Sequence, residues 1–367
     1  MALNKNMELK GWQFEVGKEY EVPVASNDCL RQYGFGAYQN PLNAFNNVTF
    51  DSRFAEVEQD GIIFKEEETL ITISSKIKII KELNWEDIIR LGAEYLGEEI
   101  TNRPQDVTIN KISEDNTHTI AYKDYTHIES NGNYTQIVST GKYNRIKTDG
   151  HFNRIGFSGD NTQINTRGYS SEINSAGERS LIGSGDYSCR INSSGSLSKI
   201  ASSAPHCKIC MSGSYATVGS LGNNVEISSS NNLNRIYSSG NFAQICSNGL
   251  NNEIFSAGYR AKIVSSGDGG KIISSGDGAN IILSGDDVQV DSRGSNATIS
   301  CIGNDNIVKA KKGSLITLSA ELIFDLSNGC YYPKYTKTEY VDGEDIKEDT
   351  WYQLIEGKFK EVDIWKD

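Results

Sequence analysis

The chain has 367 residues, with 36 Lys and Arg against 48 Asp and Glu and a formal net charge of −12, long enough for two or three folding units. No run approaches 18 apolar residues and no basic-then-apolar leader is present, so a membrane span and a secretory route are not expected, and a reducing cytoplasm is. Seven cysteines at irregular spacing do not make a disulfide framework.

Residues 1 to about 105 have an ordinary globular composition. The alternation in TLITISSKIKII (Thr69 to Ile80) predicts strands, and NWEDIIRLGAEYL (Asn84 to Leu96) predicts an amphipathic helix capped by Asn84. This part reads as a small α+β domain. Residues 106 to 127 lead into a repeat. The stretch ISEDNTHTIAYKDYTHI (Ile112 to Ile128) already alternates loosely and predicts a first, irregular coil.

From Ile128 to Ile299 an isoleucine returns every nine residues, twenty times, with only Val218 and Val290 replacing it. Four residues after each comes a glycine, Gly132 to Gly303, with Asp186, Ala204 and Asn231 as substitutes. Two of these tolerate left-handed backbone, so the glycine reads as a turn position. Two residues after the isoleucine sits mostly Ser or Thr, and two before it a small residue such as Ala243, Ala261 or Ala279. Small, Ile and Ser thus alternate with period two, which places them on one face of a short strand.

Nine residues cannot close a coil around side chains. The expectation is therefore a mainly β protein whose centre, residues 106–303, is a β-solenoid of 18-residue, two-strand coils. Twenty nonapeptides would give ten coils, with residue i stacked on i+18. Inward hydroxyls would be hydrogen-bonded, because an unpartnered buried hydroxyl is costly. Cys189 and Cys207 fall at the small inward position and Cys301 at the serine position, which predicts packed thiols.

From Asn304 the repeat fades. GSLITLSAELIF and WYQLIEGKFKEVDIW predict a compact β cap over 304–367, covering strands whose exposed end would otherwise invite aggregation.

The tempting chemistries fail on register. A calcium roll needs Asp two residues before the apolar position, where no repeat has it and Ala, Ser, Asn, Thr or Gly stand in most. In HCKIC (His206 to Cys210), Cys207 points inward and Cys210 outward, with no second CxxC to complete a zinc site. His118, His127, His151 and His206 have no nucleophile context, and His151 reads as a solvated turn residue. Ice binding would want outward threonine ranks. Polysaccharide cleavage would want clustered acids on longer coils. No catalytic, cofactor or metal site is expected.

Between Ile128 and Gly303, 14 basic residues balance 13 acidic ones, which gives no direct nucleic-acid signal and argues against a DNA mimic. One outward stack carries Arg154, Glu172, Arg190, Lys208 and Glu226. Towards the far end two outward stacks turn apolar: Tyr237, Phe255 and Ile273 in one, Cys246, Val264 and Ile282 in the other. These form the candidate interaction surface, for a partner or for self-association through the C-terminal part of the solenoid. Alternatively, Leu315 to Phe324 folds back over one of them.

GWQFEVGKEY (Gly11 to Tyr20), YGFGAYQNPLNAF (Tyr33 to Phe45) and SRFAEVE (Ser52 to Glu58) resemble the N-terminal part of a group of phage and prophage proteins of largely unknown function. GSLITLSAE (Gly313 to Glu321) and VDGEDIKEDTWYQLIEGKFKEV (Val341 to Val362) resemble the group's closing segment, and glycine-marked nonapeptides lie between the two, as here. Gly36 stands where the group commonly has histidine. The resemblance implies a mobile-element origin and supplies no reaction. The expected function is accordingly non-catalytic binding of a host protein in the bacterial cytoplasm, with inhibition of an anti-phage or CRISPR effector as its specific form. The competing expectations are a structural virion or appendage component and an enzyme in the N-terminal domain, carried by the acids and aromatics between Tyr20 and Glu58.

Overall fold

The computed structural model describes residues 1–23, 27–41, 43–44, 52–66, 71–98, 109–185, 187–325 and 329–363. The chain divides into two compact units, Met1–Asn102 and Arg103–Asp367.

The first unit is α+β. Its strands are β1 (Ala2–Leu3), β2 (Glu8–Leu9), β3 (Trp12–Gln13), β4 (Glu19–Glu21), β5 (Phe35–Tyr38), β6 (Arg53–Glu66) and β7 (Ile71–Leu83), with helices α1 (Asn27–Tyr33) and α2 (Trp85–Glu98). β7, the strand legible in the alternating isoleucines, is the hub: β4, β5 and β6 all pair antiparallel with it. α2 begins where Asn84 exchanges bonds with Asp87. The Asp87 N–H donates to Asn84 Oδ1 at 2.8 Å, and the Asn84 N–H to Asp87 Oδ2 at 3.2 Å, a reciprocal cap that satisfies otherwise orphaned donors. Among the described residues no helix is long and apolar enough to cross a membrane.

The second unit is a two-sided β-solenoid. Odd and even nonapeptides build two parallel sheets, here called the Ile128 sheet and the Ile137 sheet, in which Ile146 pairs with Ile164 and Ile245 with Ile263. The 18-residue register holds from Ile128 to Ile299, and all twenty repeat Ile and Val side chains are buried. The coils number about twelve, not ten, which at about 4.8 Å spacing makes a rod of roughly 55 Å. The irregular first coil is Ile109–Ile112 with His118–Ala121. The last is Ile307–Ala310 with the start of Leu315–Asp325.

The glycine column has a different cause from the one its spacing suggests. Left-handed backbone falls two residues later, at Tyr134, Phe152, Leu233 or Arg260, with φ of 56°, 56°, 58° and 52°. These residues accept the strain of that region while their N–H groups bond to the next coil, as Phe242 N–H does to Tyr259 O at 2.9 Å. The glycines are required by close approach instead. A Cβ on Gly240 or Gly258 would stand 1.8 or 1.9 Å from the carbonyl oxygen of the glycine one coil earlier.

The inward hydroxyls also depart from expectation. Ser139, Ser229 and Ser247 each accept from an inward Asn amide at 2.7 to 2.9 Å. Thr148, Thr166, Ser184, Ser220, Ser238, Ser256, Ser274 and Ser292, all inward on the Ile128 sheet, have no partner among the described residues. The asparagine that completes the bond in the first group is absent beside most of the second.

At the far end the parallel sheets stop against antiparallel strands. Leu315–Asp325 pairs with Cys330–Tyr340, and Ile307–Ala310 pairs with Trp351–Ile355, which in turn pairs with Lys358–Glu361. Val341, Ile346, Tyr352 and Leu354 join the rod's own core, so this segment caps it. Leu315 to Phe324 does not fold back over a face. Its first residues pair in parallel with Thr298–Cys301 as the next rung of the Ile137 sheet.

Candidate interaction surface

Period-two alternation sends every second strand residue outward, but the two outer faces differ. On the Ile137 sheet the expected charge column is present in register: Arg154, Glu172, Arg190, Lys208 and Glu226 lie opposite one another in successive strands. Arg154 pairs with Glu172 at 3.6 Å and Lys208 with Glu226 at 2.7 Å. Arg154, Arg190 and Lys208 are exposed. Exposed ion pairs of this kind add little stability but fix the charge pattern of the face.

The second outward column of this sheet runs through Asn174, Asn192, Cys210, Ser228, Cys246, Val264 and Ile282. Asn192 Nδ2 donates to Asn174 Oδ1 at 2.8 Å. Small side chains here leave a shallow groove of about 500 Å³ past Phe157, Asn174, Asn192, Cys210, Met211 and Ser228. Beyond it the column becomes apolar: Cys246 is exposed, Val264 half-buried and Ile282 38% exposed.

The Ile128 sheet corrects the other half of the expected surface. Tyr237 and Ile273 are only 1% and 2% exposed, and Phe255 between them is half-buried. Ala201 and Asp291 on the same column are buried as well. Burial pushes the Lys199 ammonium down to about 8 and raises the Tyr237 phenol. Asp291 is held by Arg293 at 2.8 Å and Lys309 at 3.2 Å, and Lys309 sits 4.9 Å over the Trp351 ring. Pleat geometry states which side of a sheet a residue faces, not whether that side meets solvent. Along this column Ala201, Tyr237, Ile273 and Asp291 are buried, so Tyr237, Phe255 and Ile273 are not an open patch.

The turns hold a feature not foreseen from the repeat. Side chains at or beside the left-handed position stack from coil to coil: Tyr134 on Phe152 at 5.1 Å, Phe152 against Tyr169 at 5.7 Å, Tyr169 on Tyr187 at 5.3 Å and Tyr187 against His206 at 5.4 Å. Tyr125 stacks on Tyr143 at 5.0 Å. The tyrosines and Phe152 are exposed. Face-to-face pairs present ring edges outward, so the ladder offers an apolar stripe, not stacking platforms. Its signal in the sequence is an aromatic five or six residues after the repeat isoleucine, 17 to 19 residues from its neighbour in the next coil.

Cys207 is buried and Cys210 exposed, as the register predicts, and Cys189 and Cys301 are buried. Burial pushes the Cys301 thiol up to about 12, the mark of an inert packed thiol. His151 is exposed and structural, its Nδ1 accepting the Tyr169 N–H at 3.0 Å. Among the described residues no three of His, Cys, Asp and Glu gather as metal ligands. In the N-terminal unit, Trp12, Phe14, Tyr20 and Phe35 form edge-to-face pairs at 4.8 to 6.0 Å. Glu19, Glu21 and Glu56 pair with Lys78, Lys76 and Lys81 of β7 at 3.6, 3.4 and 3.2 Å, so these acids are spread along cross-strand ion pairs. Gly36 lies on β5, pairing with Ile73.

Compared with known proteins, residues 2–91 match a family described as a domain of unknown function, DUF7666. No curated protein and no solved structure matches the chain.

Proposed function

We propose that this chain is a non-catalytic docking protein of a phage or other mobile element, acting in the bacterial cytoplasm. In this reading it binds a host protein through the open face of the Ile137 sheet, and the partner is an anti-phage or CRISPR effector. The observation that carries the docking reading is the apolar end of the open face. Cys246, Val264 and Ile282 stand in register on successive strands beside Gln244, Lys262 and Asn280, an arrangement of apolar centre and polar rim that suits an interface. The mobile-element origin and the defence target are supported by the resemblance of the two end segments alone.

The test is a plaque assay on bacteria carrying individual defence systems, with and without the protein. Restored plaques against one system, lost with Ile282→Asp while the variant stays folded, support the proposal. Unchanged restriction by every system removes defence inhibition, and co-sedimentation of the protein with virions would place it among structural components.

A further inference from the structure

The interior of the rod offers one polar site in two versions. At the inward position two residues before the isoleucine, Asn234 makes three bonds. Its Oδ1 accepts the Ala216 N–H one coil earlier at 2.7 Å, and its Nδ2 donates to Ser229 Oγ at 2.9 Å and to Asn231 O at 3.0 Å. Asn252 repeats the first two, taking the Asn234 N–H at 2.7 Å and donating to Ser247 Oγ at 2.8 Å. Asn153 likewise takes the Thr135 N–H and donates to Gly150 O, at 2.8 and 2.9 Å.

At the corner that Asn153 occupies, four later successive coils carry alanine at this position: Ala243, Ala261, Ala279 and Ala297. The three groups that asparagine would satisfy remain. Beside Ala261 these are the Ala243 N–H, Ser256 Oγ and Gly258 O, all on buried residues. The same trio recurs with Ser238 and Gly240, with Ser274 and Gly276, and with Ser292 and Gly294. Among the described residues none of the four serine hydroxyls has a partner, and neither the Val225, Ala243, Ala261 and Ala279 N–H groups nor the four glycine carbonyls take part in a hydrogen bond. The series ends where a side chain returns, Ser314 Oγ accepting the Ala297 N–H at 3.1 Å.

We propose that these four sites bind a file of internal water molecules, one per coil, each replacing an asparagine amide. One water accepts the N–H, donates to the glycine carbonyl and bonds the serine hydroxyl, which is the usual complement of three bonds for a buried water. Neighbouring hydroxyls on the ladder are about 4.8 Å apart, too far to bond one another. The side-chain volume that separates asparagine from alanine is of the size a water needs. This inference concerns the interior and is independent of the docking face.

The direct test is a high-resolution crystal structure of the full chain. Spherical density within hydrogen-bond distance of the three groups at all four sites is expected. Sites closed by inward collapse, with the hydroxyls turned to strand carbonyls, would overturn the proposal. Two variants give an independent reading in solution. Ala261→Asn releases the water and keeps its bonds, so the thermal midpoint rises by about 1–3 °C; a fall would mean that no room exists. Ser256→Ala deprives the water of a partner and lowers the midpoint, whereas removing a dry, unpartnered hydroxyl would raise it.

Discussion

Replacing Gly240 by alanine isolates what the glycine column does. The added Cβ would stand 1.8 Å from Gly222 O and 2.4 Å from Gly222 C, both backbone atoms, where ordinary contact begins near 3.4 Å. The coils must therefore part locally by more than 1 Å. Three bonds span that gap: Ser239 N–H to Ser220 O at 3.0 Å, Gln244 N–H to Val225 O at 2.8 Å and Asn241 N–H to Asn223 Oδ1 at 2.8 Å. Stretched by that amount, they pass the limit of a hydrogen bond. At about 0.5–1.5 kcal/mol each, their loss plus the packing disturbed around them comes to about 2–5 kcal/mol. The companion variant is Asp287→Gly, at an exposed left-handed position with φ of 56°, whose equivalents Gly269 and Gly278 are already glycine. Relief of strain there leaves stability unchanged or raises it by up to about 1 kcal/mol. Urea unfolding followed by far-UV circular dichroism compares both with the parent. If Gly240→Ala unfolds with the parent and Asp287→Gly unfolds earlier, the close-approach explanation is wrong.

Four further outcomes are expected. Ile263→Asp places an unpaired charge among buried isoleucines and abolishes cooperative unfolding of the rod, while Lys262→Ala on its exposed neighbour leaves the melting curve in place. Tyr237→Asp lowers the thermal midpoint strongly because Tyr237 is buried, whereas Ile282→Asp on the open face leaves it within about 2 °C of the parent. Asn234→Ala removes three bonds and costs about 1–3 kcal/mol in urea unfolding, less if a water takes its place. Burial holds His127 below its usual 6.5, against the opposing pull of Glu129 at 3.7 Å and alongside Arg145, Lys111 and Lys147. Its contribution is therefore complete above that pH and is lost as pH falls below it. The parent's midpoint should drop more than that of His127→Gln between about pH 7.5 and pH 5.5.

The body of the rod was legible because one isoleucine per nine residues states both strand phase and coil length. Its ends were not, for identifiable reasons. In the first coil Asn110 and Thr119 occupy the rungs opposite Ile128 and Ile137, so no apolar marker announces it. In the last, Ile316 pairs with Ile299 after a step of 17 residues, which breaks the count. The glycine column was legible as a turn, but its reason lies in the neighbouring coil, to which spacing is blind. The interaction surface was half legible. Period two placed Val264 and Tyr237 alike on outer faces, and only packing separates the open one from the closed one. The aromatic ladder was not legible because its members shift between two adjacent positions, Tyr134 and Phe152 at one and Tyr169 and Tyr187 at the next, which blurs the period.

The most direct test of the docking account is co-purification of the tagged chain from a bacterial host carrying a range of defence systems, with mass spectrometry of whatever accompanies it. The account predicts one stoichiometric host effector that is lost with Ile282→Asp and retained with Lys271→Ala on the other sheet. Recovery of only self-assembled particles or virion proteins, or of an effector indifferent to Ile282→Asp, would contradict it.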